Sequence, residues 1–280
     1  MSSEFLANEI NLICLALLFM LTGKLRHTHI MAEKRFFFYL AAVLNMILIF
    51  IEIIYGFVNG ATGNFMRNMN WTINMLYYII SSCMCFAWYL YSENMLKETS
   101  HRKKIHYWPE ALPVLVVILL TLTTRFTNLM FYIDEADFYC RGRMFFLQTM
   151  INFGYLLYAS IHALYLSEIA KTYREKIEGR ALSMAVIPVV LFGCTQIVWP
   201  EAPALCIGCT LSLVYIYLTL QEQAISMDSL TGLNNRITLY SYLNDLARHP
   251  RNGKKEWILL LDVDRFKFIN DNFGHFEGDN

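Results

Sequence analysis

Seven runs of apolar residues, at 5–21, 36–58, 71–91, 111–130, 144–166, 181–199 and 204–220, fill most of the first 220 positions of this 280-residue chain. Each is long enough, as a helix, to cross a hydrocarbon layer of about 30 Å. The composition agrees. Hydrophobic residues make up 56% and charged residues only 16%, where soluble domains carry about a quarter charged. Only Pro200-Glu201-Ala202-Pro203 separates the last two runs. One helix through both would be about 60 Å long at 1.5 Å per residue, more than one bilayer covers. A tight proline turn between two spans is therefore expected, and the first part of the chain reads as an α-helical membrane bundle with seven transmembrane helices.

The charge pattern orients that bundle. The first, third and fifth connecting loops hold Lys24, Arg26, Lys34 and Arg35, then Lys97, Arg102, Lys103 and Lys104, then Lys171, Arg174, Lys176 and Arg180. The opposite side holds Arg67, Arg141 and Arg143. Basic residues gather on the cytoplasmic side of membrane proteins, so the amino terminus is expected outside and everything after Leu220 in the cytoplasm. The basic residues follow the first apolar run instead of preceding it, which argues against a cleaved signal peptide. Six of the seven cysteines lie within apolar runs, where a thiol behaves as a small hydrophobe. Cys206-Ile207-Gly208-Cys209 has redox spacing, but inside an apolar span it reads as packing. No disulfide framework is implied.

Polar residues inside the runs are few. Glu52 lies in the second, where a carboxylate is costly. One reading is a ligand or proton site, with Asn45, Asn74 or His162 as partners from neighbouring spans. The other places Glu52 near the outer end of its helix, within reach of the interface. Arg125 reads as an interfacial snorkelling charge, and Pro188 predicts a mild kink. The outer loop with Asp134, Glu135, Asp137 and Cys140 reads as solvated.

After Leu220 the pattern changes. Gln221 to Met227 extends the last helix into water, and Leu230-Thr231-Gly232-Leu233 reads as a turn. A helix is expected over 235–248, with Leu239, Tyr242, Leu243 and Leu246 forming one buried face. The continuous apolar run 257–263 fits a strand covered on both sides, and a helix over 265–272 follows. The strand ends in Asp262-Val263-Asp264, and Lys267, Asn270 and Asp279 come after it. Carboxylates, an amine and an amide in that order are equipment for holding a metal-bound nucleotide.

The segment Asp228-Ser229-Leu230-Thr231-Gly232-Leu233-Asn234-Asn235-Arg236 resembles the D-x-L-T-G-L-x-N-R opening of the bacterial GGDEF domains, the diguanylate cyclases. Asp262-Val263-Asp264, Phe266-Lys267, Asn270-Asp271, Gly274-His275 and Gly278-Asp279 resemble that family's second block. The resemblance implies the first part of an α/β palm domain similar to nucleotidyl cyclases, occupying 222–280 after a membrane module at 1–221. It implies Mg²⁺ or Mn²⁺ on the Asp262 carboxylate and the Val263 carbonyl, hard oxygen donors suited to such ions. Backbone N–H groups of Phe266 and Lys267, at a helix start, would meet phosphate oxygens, with Lys267 adding its charge. Asn270 and Asp279 match the positions that read the guanine edge, and His275 lies near the substrate. Asp264 reads as structural support, and no residue is assigned as catalytic.

The Gly-Gly-Asp/Glu-Glu-Phe hairpin that names the family does not occur before Asn280, so the 280 residues are expected to be incomplete and inactive as a cyclase. The leading expectation is a membrane-anchored diguanylate cyclase of the bacterial inner membrane, a homodimer condensing two GTP into cyclic di-GMP under control of a sensed ligand. A GTP or cyclic di-GMP receptor with a degenerate signature is the alternative, and a receptor or transporter with an incidental tail the third. No nucleic-acid partner is implied. The charge pattern carries its own test: alkaline phosphatase joined after Glu135 should be active, and joined after Ser226 inactive. The reverse pattern would invert the expected orientation.

Overall fold

The computed structural model describes residues 3–25, 32–96, 107–170, 173–199, 204–225, 228, 230–231, 233–248, 257–274 and 276. The chain divides into two compact units, Met1–Thr219 and Leu220–Asn280. In chain order the helices of the apolar part are α1 (Ser3–Leu25), α2 (Ala32–Val58), α3 (Asn64–Met95), α4 (Tyr107–Thr127), α5 (Phe145–Ile169), α6 (Tyr173–Met184), α7 (Val186–Val198) and α8 (Ala204–Ile225). Two short strands, β1 (Phe131–Ile133) and β2 (Tyr139–Arg141), lie between α4 and α5.

Six stretches are helical, long and apolar enough to cross a membrane: Ala7–Leu25, Phe36–Val58, Asn64–Met95, Trp108–Thr127, Glu175–Val198 and Ala204–Glu222. Expected were seven. The run at 144–166 does form a helix, the 25-residue α5, but Gln148, Thr149, Asn152, Ser160 and His162 dilute its apolar character. The run at 181–199 lies largely in the one stretch Glu175–Val198, interrupted at Ala185 between α6 and α7, where the expected effect of Pro188 falls. Pro188 has no N–H to give the Met184 carbonyl, and its ring crowds that carbonyl, so the ladder breaks one residue later. The proline turn at 200–203 lies outside the described residues.

Helix α4 shows which way this unit is built. Leu112, Leu115, Leu119, Leu122 and Phe126 recur at spacings of three and four and are exposed, while Val114, Val117, Thr121 and Thr124 on the opposite face are buried. Large apolar side chains face out while Thr121 and Thr124 face in, the reverse of a water-soluble helix and the arrangement for lipid surroundings. Helix α3 is central, packing against α2, α4, α5 and β1. Close approach of α8 to α7 depends on Gly208, where a Cβ would lie 2.7 Å from the Pro188 carbonyl oxygen. All seven cysteines are free.

The loop expected to be solvated is instead a hairpin bonded into the bundle. β1 and β2 pair antiparallel with Tyr132 opposite Cys140. Asp134 Oδ1 accepts from the Ala136 and Phe138 amides at 3.0 and 2.8 Å, closing the turn. Arg67 donates to Asp137 Oδ1 at 2.7 Å and to the Ile133 carbonyl at 3.1 Å. Asn70 and the Gly60 amide both donate to the Asp137 carbonyl, and the Tyr139 amide donates to Asn59 Oδ1. Arg141, read from the sequence as a loop charge, donates to the Ile197 and Gln196 carbonyls at the end of α7 and lies over the Phe145 ring. Arg125, read as a snorkelling charge, donates to Asn68 Oδ1 at 2.7 Å. Strand alternation turns Phe131 inward, fully buried against the rings of Trp71, Tyr78 and Tyr139 at 5.0, 5.3 and 5.9 Å. Tyr132 faces out.

In the second unit, α9 (Arg236–Arg248) and α10 (Phe266–Phe273) form close to where the sequence places them. The turn before α9 is held by Asp228, whose Oδ1 accepts from the Leu230 amide, the Thr231 amide and the Thr231 hydroxyl at 3.2, 2.9 and 2.9 Å. Two expectations fail here for one reason. Leu239 and Tyr242 of α9 are exposed, and the run 257–263 forms no strand, with its leucines open to solvent. A strand is defined by a hydrogen-bonded neighbour and a helix face is buried by an opposing surface; among the described residues neither is supplied.

Phe131→Ala should destabilise the first unit by about 3–5 kcal/mol, the usual cost of deleting a buried ring, whereas Tyr132→Ala should change stability by no more than about 0.5 kcal/mol. Thermal melts in detergent would separate the two. The Thr231 backbone and hydroxyl hydrogen bonds hold the Asp228 carboxyl below its ordinary range. A depressed native value means that the turn's stabilisation is fully present above the ordinary aspartate range and is lost as pH falls through the lowered value. Carboxyl-detected NMR should find Asp228 titrating below an unstructured aspartate, with the Thr231 amide shift following it; an ordinary midpoint would refute the turn.

Candidate functional site

Five of the seven residues singled out from the sequence fall in one continuous described stretch. Residues 257–263 approach it as exposed, unpaired backbone. Arg265 then takes a left-handed conformation, with φ of 58°, reversing the chain so that Phe266 opens α10. Gly274, with φ of 85°, closes that helix. Asp262, Val263, Phe266, Lys267 and Asn270 therefore lie on a bend and the helix after it. His275 and Asp279 lie outside the described residues.

The polar groups of this bend are partly engaged with one another. Asp262 Oδ1 accepts from the Val263 amide at 3.0 Å. The Phe266 amide donates to the Val263 carbonyl at 3.3 Å, so a donor expected to face phosphate and an acceptor expected to face a metal meet each other. That bond is at the long, weak end of the range, and a carbonyl has a second lone pair. Asp262 is exposed. Asn270 Oδ1 is buried and has no hydrogen-bond partner among the described residues, an arrangement that leaves its acceptor for something else.

As a metal site the bend is partial. Asp262 carboxylate and Val263 carbonyl are hard oxygens of the type that Mg²⁺ takes. No group of three or more His, Cys, Asp or Glu side chains that could hold a metal ion occurs among the described residues. The residues fit such an ion in kind and would offer it two oxygen donors.

Within the first unit the structure redistributes the partners suggested for Glu52. Asn45 donates to Thr210 Oγ1 at 2.9 Å, and His162 Nδ1 lies 2.6 Å from Glu93 Oε1. Only Asn74 shares a cavity with Glu52. Its nearer neighbours, Tyr77 and Gln196, were missed from the sequence. Gln196 was legible as a polar residue in an apolar run, and Tyr77 lies in the apolar run 71–91 with no local signal to single it out.

Residues 225–280 match the family model described as diguanylate cyclase, GGDEF domain. Among characterised proteins, diguanylate cyclase DgcP of Pseudomonas aeruginosa is 47% identical over 60 residues, which cover 21% of this chain and 9% of that protein. Diguanylate cyclase DgcN of Escherichia coli is 46% identical over 52 residues, covering 19% of this chain and 13% of the relative. Diguanylate cyclase DgcP of Escherichia coli is 49% identical over 55 residues, covering 19% and 16%. The chain thus spans less than a fifth of the length of these relatives. No solved structure matches it. The likeness to the GGDEF family and to these diguanylate cyclases thus lies in the segment 225–280.

Proposed function

We propose that this protein is a membrane-anchored diguanylate cyclase, whose carboxyl-terminal domain condenses two GTP molecules into cyclic di-GMP under the control of its helical membrane module. The observation that carries the reading is the pair of signature blocks, 228–236 and 262–279, inside the segment that matches the family. The membrane module comprises the six apolar stretches together with α5 as a seventh span, its amino terminus outside and residues after Leu220 in the cytoplasm. Thr121 and Thr124 buried and leucines exposed on α4 support a lipid setting for it.

The residues divide the work as follows. Asp262 and the Val263 carbonyl hold Mg²⁺ or Mn²⁺, which when bound neutralises phosphate charge in the reaction. Lys267 brings a point charge to the same phosphates, beside N–H groups at the start of α10. Asn270 uses its amide on the guanine edge, consistent with its unpartnered Oδ1, and Asp279 accepts from the purine N–H groups. His275 stands near the substrate. Two nucleotides must face each other for the two phosphodiester bonds to form, so a homodimer is the working state and its geometry is what the membrane module controls.

Cyclic di-GMP measured in cells expressing the gene's whole product should rise with wild type and stay at background with Asp262→Ala. The expected loss is at least about a hundredfold, the scale for removing one charge-stabilising group. Equal synthesis by both would overturn the assignment.

A further inference from the structure

We propose that the membrane module contains a binding site for a small organic cation, a protonated amine, with the Glu52 carboxylate as its counter-ion. The site is a cavity of about 680 Å³ lined by α1, α2, α3, α5, α7, the start of α8 and the hairpin. That is the size of pockets that hold metabolite-sized molecules, roughly 300–1,000 Å³.

The polarity of the wall selects the ligand. Gln196 Oε1 accepts from the Leu205 amide at 2.9 Å, so its nitrogen is the end that reaches Tyr77, at 3.0 Å. Tyr77 thus accepts a hydrogen bond from Gln196 and donates its own hydroxyl to Glu52 Oε1, 3.3 Å away. The donors converge on Glu52, with the Cys206 thiol and the Asn11 side chain also beside its carboxyl. Glu52 Oε2 is buried and has no hydrogen-bond partner among the described residues, and the same holds for Oδ1 of Asn11 and Oδ1 of Asn152. All three residues line the cavity. Three orphaned acceptors, one of them on a carboxylate, match an ammonium group with its three N–H donors and no acceptor.

Positive charge from the protein does not fill that role. Arg141 is the basic residue in the wall, and its two terminal nitrogens are committed to the Ile197 and Gln196 carbonyls at 2.6 and 2.9 Å. An ionisable side chain within a membrane bundle is costly unless it is paired. Tyr55, Tyr78 and Tyr139 add aromatic wall against which the body of an organic cation can lie. An anionic ligand would set its charge against the Glu52 carboxylate, and a bare metal ion would meet one carboxylate in a cavity far larger than itself.

This goes beyond the cyclase assignment, since binding to the first unit requires no GTP chemistry. The 280-residue chain in lipid nanodiscs would be titrated with tyramine, histamine and putrescine, and with 4-ethylphenol, which keeps the tyramine ring and lacks the amine. Quenching of tryptophan fluorescence, with Trp199 in the wall, reports occupancy. At least one amine should bind saturably, and 4-ethylphenol at least about tenfold more weakly than tyramine, as expected for a hydrogen bond to a charged group. Glu52→Gln should weaken the amine at least about tenfold by the same reasoning, and Asn152→Leu, which leaves the carboxylate in place, should weaken it severalfold. If Glu52→Gln does not fold, the wild-type comparison of tyramine with 4-ethylphenol and the Asn152→Leu titration decide. Absence of saturable binding by all three amines, equal binding of 4-ethylphenol, or unchanged amine affinity in either variant would overturn the proposal.

Discussion

Hydrocarbon offers no hydrogen bonds, and the arrangement of the first unit follows from that one constraint. A polar group inside it must either find a partner on a neighbouring helix or line a cavity. Gln148 of α5 does the first, donating to the Tyr78 carbonyl and to the hydroxyls of Ser81 and Ser82 on α3 at 3.0–3.2 Å. Thr124 of α4 accepts from the amides of Met130 and Phe131 and thereby joins its helix to the hairpin. Asn45 reaches Thr210 between α2 and α8, and His162 meets Glu93 between α5 and α3. These bonds specify which helices are neighbours, a choice that apolar side chains alone leave open when lipid is as apolar as leucine.

The hairpin shows the same logic at the end of the bundle. It closes over the helices because Arg67, Asn70 and Asn59 bind its turn and Arg141 binds the end of α7. Phe131 fills the space beneath. Tyr139 and Arg141 of the hairpin also line the cavity around Glu52.

What the sequence made legible follows the range of each signal. Helix positions depend on local runs of apolar residues, and α1 through α5 and α8 lie where those runs are. The break at Ala185 required knowing that Pro188 would interrupt a ladder that its neighbours did not restore. Partner choice was not legible: Glu52, Asn45, Asn74 and His162 are all polar residues in spans, and only their helical phase and neighbours separate the cavity pair from the interhelical ones. Arg141 was counted as a loop charge because its acceptors lie 55 and 56 residues along the chain. In the second unit the motif residues were legible because a glycine, an aspartate cap and an asparagine act within a few positions. The strand at 257–263 was not realised because pairing is a property of two segments, and the described residues contain one.

The two units differ physically: helices whose backbone bonds are closed off from water, and a signature segment whose apolar run is open to it. Hydrogen–deuterium exchange on the 280-residue chain in lipid nanodiscs measures that difference amide by amide. Amides within α2 and α3 should keep their hydrogens for hours, while those of 257–263 exchange within seconds. Exchange of the α2 and α3 interiors within seconds would place water where the account requires hydrocarbon, and would contradict it.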